Sequence, residues 1–177
     1  MENIEKILSP KLKECTLDFV MKLSADELKQ FGVTPKKIEN WFAIRELIKQ
    51  SQEQKLSKVI NSAQAAVDIF KLHLENLHHE EFHIMFLDRK LKIIKYEAMF
   101  KGGQTATTVD TKLILKNALL LSAYGIICAH NHPSGETKPS EMDDNITAKI
   151  KSQCAIMEIN FLDHIIIGNN KFYSYYS

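Results

Sequence analysis

In the first third of the chain, apolar positions recur at helical spacing behind repeated start signals. Ser9-Pro10, Ser24-Ala25-Asp26-Glu27 and Thr34-Pro35 each open such a stretch. Proline suits a first helical turn because its missing N–H is not needed there. Ser24 with Glu27 three residues on has the form of a capping box. After Thr34-Pro35, Ile38, Trp41, Phe42 and Ile48 fall near helical spacing, with Arg45 on the same face. The polar run SQEQKLS, 51–57, reads as a linker. The pattern predicts a small helical module over 1–58 and a second domain over 59–177.

In the second domain the period changes. Ser62 caps a helix in which Ala65, Ala66, Ile69 and Phe70 share a face, running out near Leu77. From Phe82 the period is two: Phe82, Ile84 and Phe86 alternate with His83 and Met85, as in a strand. Asp88-Arg89-Lys90 is its turn, and 91–96, extendable to Phe100, is the hairpin partner, ended by Gly102-Gly103. The run TKLILKNALLLSA, 111–123, is too long and apolar for a strand and predicts a buried helix. GIICA, 125–129, predicts a fully buried strand. A loop over 131–139 follows, and Ser140 opens a helix to about Cys154. Residues 159–167 and 171–175 flank Gly168-Asn169-Asn170 as a last hairpin. This order predicts an α/β domain with a mixed sheet flanked by helices.

Composition narrows the class without choosing a function. The chain has 177 residues, 45% apolar and 25% charged, as in a globular protein. No apolar run approaches the roughly 20 residues that cross a bilayer. The start, MENIEKILSPKLKE, carries charges where a signal peptide has an apolar core, so a cytoplasmic protein is expected. Cys15, Cys128 and Cys154 form no CxxC pair, which fits reduced thiols. Net charge is +1, and residues 1–58 carry eleven basic against nine acidic side chains. That is too little for the phosphate-neutralising term that dominates nonspecific DNA binding.

The chemistry concentrates in AHNHPSGETKPSEMDD, 129–144. His130 and His132 are two apart after a strand, so both rings can point to one face. Asp143 lies in the first turn of the helix opened by Ser140 and can return toward the strand end. Two imidazoles and one carboxylate leave the fourth corner of a tetrahedral zinc site open for water. Each piece also has a plain reading: a surface histidine pair, a helix cap at Ser140 and Asp143, a turn at Pro133–Gly135. Asn131, between the histidines, should face the other way and hold backbone. His164 reads as a core histidine supporting the site, Cys128 as a packed thiol, and His73, His78, His79 and His83 as mostly solvated.

The spacing His130-x-His132-x(7)-Ser140-x(2)-Asp143 resembles the JAMM metallopeptidase signature of the MPN fold. The longer string HNHPSG…PS…D resembles the RadC branch of that superfamily. LDHIIIGNNKFYS, 162–174, looks like its ending, and EEFHIMFLDRKLKII, 80–94, like its first hairpin; the likeness spans about 60–177. It implies a cytidine-deaminase-like mixed sheet, zinc on His130, His132 and Asp143, and hydrolysis of a peptide or isopeptide bond in a protein substrate. It also implies an upstream glutamate as general base. Matching the Glu-x-Phe of the first strand points to Glu80, with Glu81 and Glu97 as the alternatives. Ser140 becomes a candidate oxyanion donor. Glu136-Thr137-Lys138 departs from the family's usual run, which predicts a slightly less rigid loop with every ligand kept. Residues 1–58 resemble a degenerate helix-hairpin-helix that retains only Gly32 of its Gly-x-Gly hairpin. A packing or partner-docking module is the favoured reading there, with nucleic acid as the alternative partner. The adjacent letters His-Asn-His do not make an HNH nuclease, whose residues are spread over a ββα unit. Substrate and oligomeric state are not legible.

Overall fold

A computed structural model describes residues 7–75, 77–102 and 109–176. Gly103, the expected end of the first hairpin, lies outside them. The chain divides into two compact units, with the break between Lys55 and Leu56.

In the first unit a 3-10 turn, Pro10–Leu12, precedes three helices: α1 Leu17–Lys22, α2 Ala25–Gln30 and α3 Pro35–Lys55. Ser9-Pro10 thus opens only that single turn, and Thr16 caps the first true helix. Ser24 and Glu27 do form a capping box. Gly32, at φ +75°, ends α2 with Val33 N donating to Leu28 O, a closure that needs the left-handed conformation. Leu8, Leu12, Val20, Leu23, Leu28, Val33, Ile38 and Trp41 make the core of this unit. The expected linker at 51–57 is instead helical through Lys55. Gln, Glu and Lys are good helix formers, and nothing in SQEQK breaks the backbone pattern.

The second unit is a five-stranded sheet between helices. Its elements are α4 Ala63–Leu74, β1 Glu81–Leu87, β2 Ile93–Lys101, α5 Thr111–Leu120, β3 Gly125–Asn131, α6 Glu141–Ile156, β4 Asn160–Ile167 and β5 Phe172–Ser174. Strand order is β2-β1-β3-β4-β5. Only β3 and β4 are parallel, and α6 makes the crossover between them; the other pairs are antiparallel. Lys58–Ile60 precedes α4 and runs beside the start of β2, with Ile60 N donating to Leu91 O at 2.8 Å.

Strand alternation assigns the two faces. Met85, Leu87, Ile127 and Ala129 pack with Ala66, Val67, Phe70 and Leu74 of α4. Phe82, Ile84, Phe86, Ile126 and Cys128 pack on the opposite face with Ile114 and Ala118 of α5 and Ile150 and Cys154 of α6. Each fully buried Val, Leu, Ile, Phe or Met side chain among them contributes about 1.5–3 kcal/mol. The helix expected to be buried, α5, is buried on one face only: Leu119 and Leu120 are exposed. Its apolar excess had hidden the amphipathic stripe. Among the described residues no helix is long and apolar enough to cross a membrane.

Candidate metal centre

The strand β3 continues two residues beyond the expected GIICA and carries His130 and Asn131 within the sheet. His130 therefore lies on the α5/α6 face, in register with Phe82 of β1, whose ring is nearly parallel to it at 6.1 Å. His132 follows as the chain leaves the sheet, its N–H donating to Ile167 O at 2.9 Å. Asp143 arrives from the first turn of α6, which packs on that same face.

The three donors converge. His130 Nε2 lies 2.9 Å from His132 Nε2 and 3.0 Å from Asp143 Oδ1, and His132 Nε2 lies 3.5 Å from Asp143 Oδ2. Among the described residues they are the one such group whose ligand atoms all fall within 4.8 Å of one another. Donors on a tetrahedral zinc with bonds of about 2.0–2.1 Å stand about 3.3 Å apart, so the spacing and the nitrogen-oxygen set fit that ion. His130 and Asp143 are buried and His132 is half-buried, which leaves the cluster open on the His132 side.

Electrostatics agree with a cation-ready site. Burial pushes the Asp143 carboxyl up, but the hydrogen bonds from His130 and His132 outweigh it and hold the group far below the usual carboxylate range. Asp143 in turn raises His132 against the opposing effect of burial; Glu136 O, then the charges of Asp143 and Glu80, add to the rise.

Ser140 holds the carboxylate in place. Its N–H and Oγ–H donate to Asp143 Oδ2 at 2.7 and 2.6 Å, and Asp143 N donates to Ser140 Oγ at 3.2 Å. That is a reciprocal capping box built on a site residue. His132 Nδ1 is 2.7 Å from Glu136 O. Because that contact is through main chain, the side chains of Glu136-Thr137-Lys138 do not enter it.

Glu80 is the residue before β1. It has the parity of Phe82, and continuing the β1–β3 register sets it opposite His132, whose charge it influences. Its carbonyl accepts Gly102 N–H at 2.8 Å. The two alternatives are engaged elsewhere. Glu81 faces the α4 side, where His79 Nε2 and His83 Nε2 each lie 2.7 Å from one of its oxygens and Lys101 Nζ lies 3.4 Å away. Burial opposes ionisation of Glu81, but these partners prevail and hold it below its ordinary value. Glu97 accepts Asn117 Nδ2 at 3.1 Å and pairs Lys95 at 3.0 Å.

His83 corrects the expectation of a solvated histidine. It is 3% exposed, held between Glu81 and Tyr96 Oη, because β1 is covered on both faces. Asn131 does hold backbone: Oδ1 accepts Glu81 N at 2.8 Å and Nδ2 donates to His79 O at 2.9 Å. His164 is fully buried, with Nε2 2.9 Å from His130 Nδ1. Burial and then the neighbouring His130 push it well below its usual value. Two residues had escaped the sequence reading. Thr147 lies one helical turn after Asp143 and touches His164 Nδ1 at 2.5 Å. Tyr175 stacks on His164 at 5.3 Å and donates to Asp144 Oδ1 at 2.7 Å. The i, i+4 spacing from Asp143 was the available signal for Thr147.

Comparison with known proteins now decides the family. The profile of the RadC-like JAB domain matches residues 60–177. The chain belongs to the RadC family. Its RadC relatives include a UPF0758 protein of Leptothrix cholodnii, 37% identical over 81% of this chain and 66% of that protein. Another, from Flavobacterium johnsoniae, is 37% identical over 90% of this chain and 71% of its own length. A third, from Haemophilus ducreyi, is 38% identical over 75% and 60%. The matched part of the chain thus spans about two thirds of the length of these relatives. The five-stranded mixed sheet flanked by helices is the JAB/MPN architecture, a superfamily of hydrolase type.

Proposed function

We propose that this chain is a zinc-dependent hydrolase of the JAMM type that cleaves a peptide or isopeptide bond in a protein substrate. The observation that carries the reading is the meeting of His130 Nε2, His132 Nε2 and the Asp143 carboxylate around one point, with 2.9 Å between the nitrogens, 3.0 Å from His130 to Oδ1 and 3.5 Å from His132 to Oδ2. Zinc held by these residues supplies an acidified water and polarises a carbonyl.

The chain's own residues do the rest. Glu80 takes a proton from the attacking water and returns it to the leaving amine. Its support is position: it shares the face of Phe82 and His130, whereas Glu81 is turned away into an ion-paired cluster. Ser140 keeps Asp143 oriented through its N–H and turns its hydroxyl to the developing oxyanion. Phe82 and His164 pack on the buried side of His130, and His132 is the most exposed of the three donors.

The test is zinc content joined to hydrolysis. Protein purified from zinc-replete medium should carry one zinc per chain by elemental analysis. His130→Ala and Asp143→Ala should lose it, and the loaded protein should cleave members of a peptide and isopeptide library. Metal-free protein under zinc-replete conditions would sink the reading.

A further inference from the structure

We propose that Thr147 and His164 are positioning residues that carry the hydrogen bond of His130 to a main-chain carbonyl and so keep His130 Nε2 bare for a divalent cation. The inference rests on the metal reading above and adds how one ligand is prepared for it.

Three contacts make a chain behind His130. His130 Nδ1 is 2.9 Å from His164 Nε2, His164 Nδ1 is 2.5 Å from Thr147 Oγ1, and Thr147 Oγ1 donates to Asp143 O at 2.6 Å. His130, Thr147 and His164 are 1%, 3% and 0% exposed, so water does not substitute for any link. The chain leaves the side chain of one ligand and ends on the backbone of another.

A neutral imidazole has one N–H and one bare nitrogen, and a hydroxyl has one hydrogen. Two directions satisfy the gaps between His130, His164 and Thr147, but only one of them also satisfies the gap from Thr147 to Asp143 O. In the outward direction His130 Nδ1–H donates to His164 Nε2, His164 Nδ1–H donates to Thr147, and Thr147 donates to Asp143 O. His130 Nε2 is then bare. In the inward direction Thr147 donates to His164, His164 Nε2–H donates to His130 Nδ1, and His130 Nε2–H points at Asp143 Oδ1, 3.0 Å away. That arrangement puts a hydrogen on the coordinating nitrogen. Mixed arrangements set two hydrogens or two lone pairs face to face, so the three bonds turn together.

The end of the chain selects the direction. A carbonyl oxygen only accepts, and the Thr147 hydroxyl lies within hydrogen-bond distance of Asp143 O. His132 uses the same device without intermediaries, since its Nδ1 faces Glu136 O at 2.7 Å. Both ligands therefore end on main-chain carbonyls, one directly and one through two side chains. Groups that orient a ligating histidine typically change metal affinity 10–100-fold when removed.

The test measures the His164 tautomer in zinc-loaded protein by nitrogen-15 NMR, and zinc affinity by competition with a chromophoric chelator. Wild type should show His164 protonated on Nδ1 with Nε2 bare. Thr147→Val, near in shape but without the hydroxyl, should bind zinc about 10–100-fold more weakly with its circular dichroism unchanged. Thr147→Ser should restore the affinity to within a few-fold. His164 carrying its hydrogen on Nε2 in wild type would overturn the inference, and that measurement needs no variant. So would a Thr147→Val protein that binds zinc as wild type does, or a Thr147→Ser protein as weak as Thr147→Val. Wild type that takes up no zinc would remove the metal reading and this inference together, whereas normal zinc uptake with an unaffected Thr147→Val removes this inference alone.

Discussion

Asn131 Oδ1 accepts the Glu81 main-chain N–H at 2.8 Å. The residue between two candidate ligands thereby fixes the start of the strand that follows Glu80. Its amide also donates to His79 O at 2.9 Å, so one side chain satisfies backbone on both sides of Glu80. Alternation along β3 separates the roles: His130 faces the α5/α6 side and Asn131 the α4 side.

Asn131→Ala should leave the Glu81 N–H and the His79 carbonyl without these partners in a buried setting. The expected loss is about 1–3 kcal/mol of stability, read as a lowered urea midpoint. Zinc stoichiometry should be kept because no donor is touched. An unchanged midpoint would show that the bond contributes nothing.

Glu80→Gln and Glu81→Gln should separate chemistry from structure. Glu80→Gln should retain zinc and lower turnover by about 10²–10⁴-fold. Glu81→Gln should lower the unfolding midpoint and leave the turnover of the folded fraction within a few-fold. The reverse pattern, in kinetics and urea titrations on the two variants, would reassign the base.

Ser140→Ala should keep the Ser140 N–H bond to Asp143 and lose the hydroxyl. Loss of the cap should cost about 1 kcal/mol. Loss of the oxyanion donor should lower turnover by about 10²–10³-fold. A stability loss with turnover intact would leave Ser140 as a cap alone.

Acid should weaken the second unit through Glu81. Its folded-state carboxyl lies below the ordinary value of 4.5, because the His83, His79 and Lys101 contacts together outweigh burial. As pH falls, the unfolded chain takes up this proton first. The Glu81 contribution is therefore full above that ordinary value and is lost as pH falls through the lower folded value. Urea midpoints from about pH 7 to about pH 3 should fall less steeply at the acid end in Glu81→Gln than in wild type.

Gly168→Ala should disturb the loop that carries His132. A Cβ there would meet Thr137 Cγ2 at 2.6 Å and would crowd the Gly135 carbonyl more closely still. Crowding of this kind costs about 1–3 kcal/mol. The expected result is a lower melting temperature and weaker zinc binding, with all three donors present. Calorimetry and a zinc titration check both; unchanged values would uncouple the β4–β5 turn from the site.

The local signals were sufficient where the physics is local. Ser24 with Glu27 and Ser62 cap their helices as expected, because a cap needs only residues within one turn. The period-two run from Phe82 and the last hairpin are strands as expected, but β1 is buried on both faces, so its alternation marked two sheet faces rather than inside and outside. The spacing of His130, His132, Ser140 and Asp143 was fully written in the chain. What lay beyond the sequence depended on neighbours distant in it. His83 is buried because α4 covers that face of β1, and Glu81 is turned away because strand parity is set by pairing with β3. Thr147, His164 and His130 meet because α6 packs across β3 and β4. The sequence by itself determined which donors exist and how far apart they stand along the chain. The tertiary structure alone decided which nitrogen faces the common point, since that follows from packing and from the accepting groups that packing brings behind each ring.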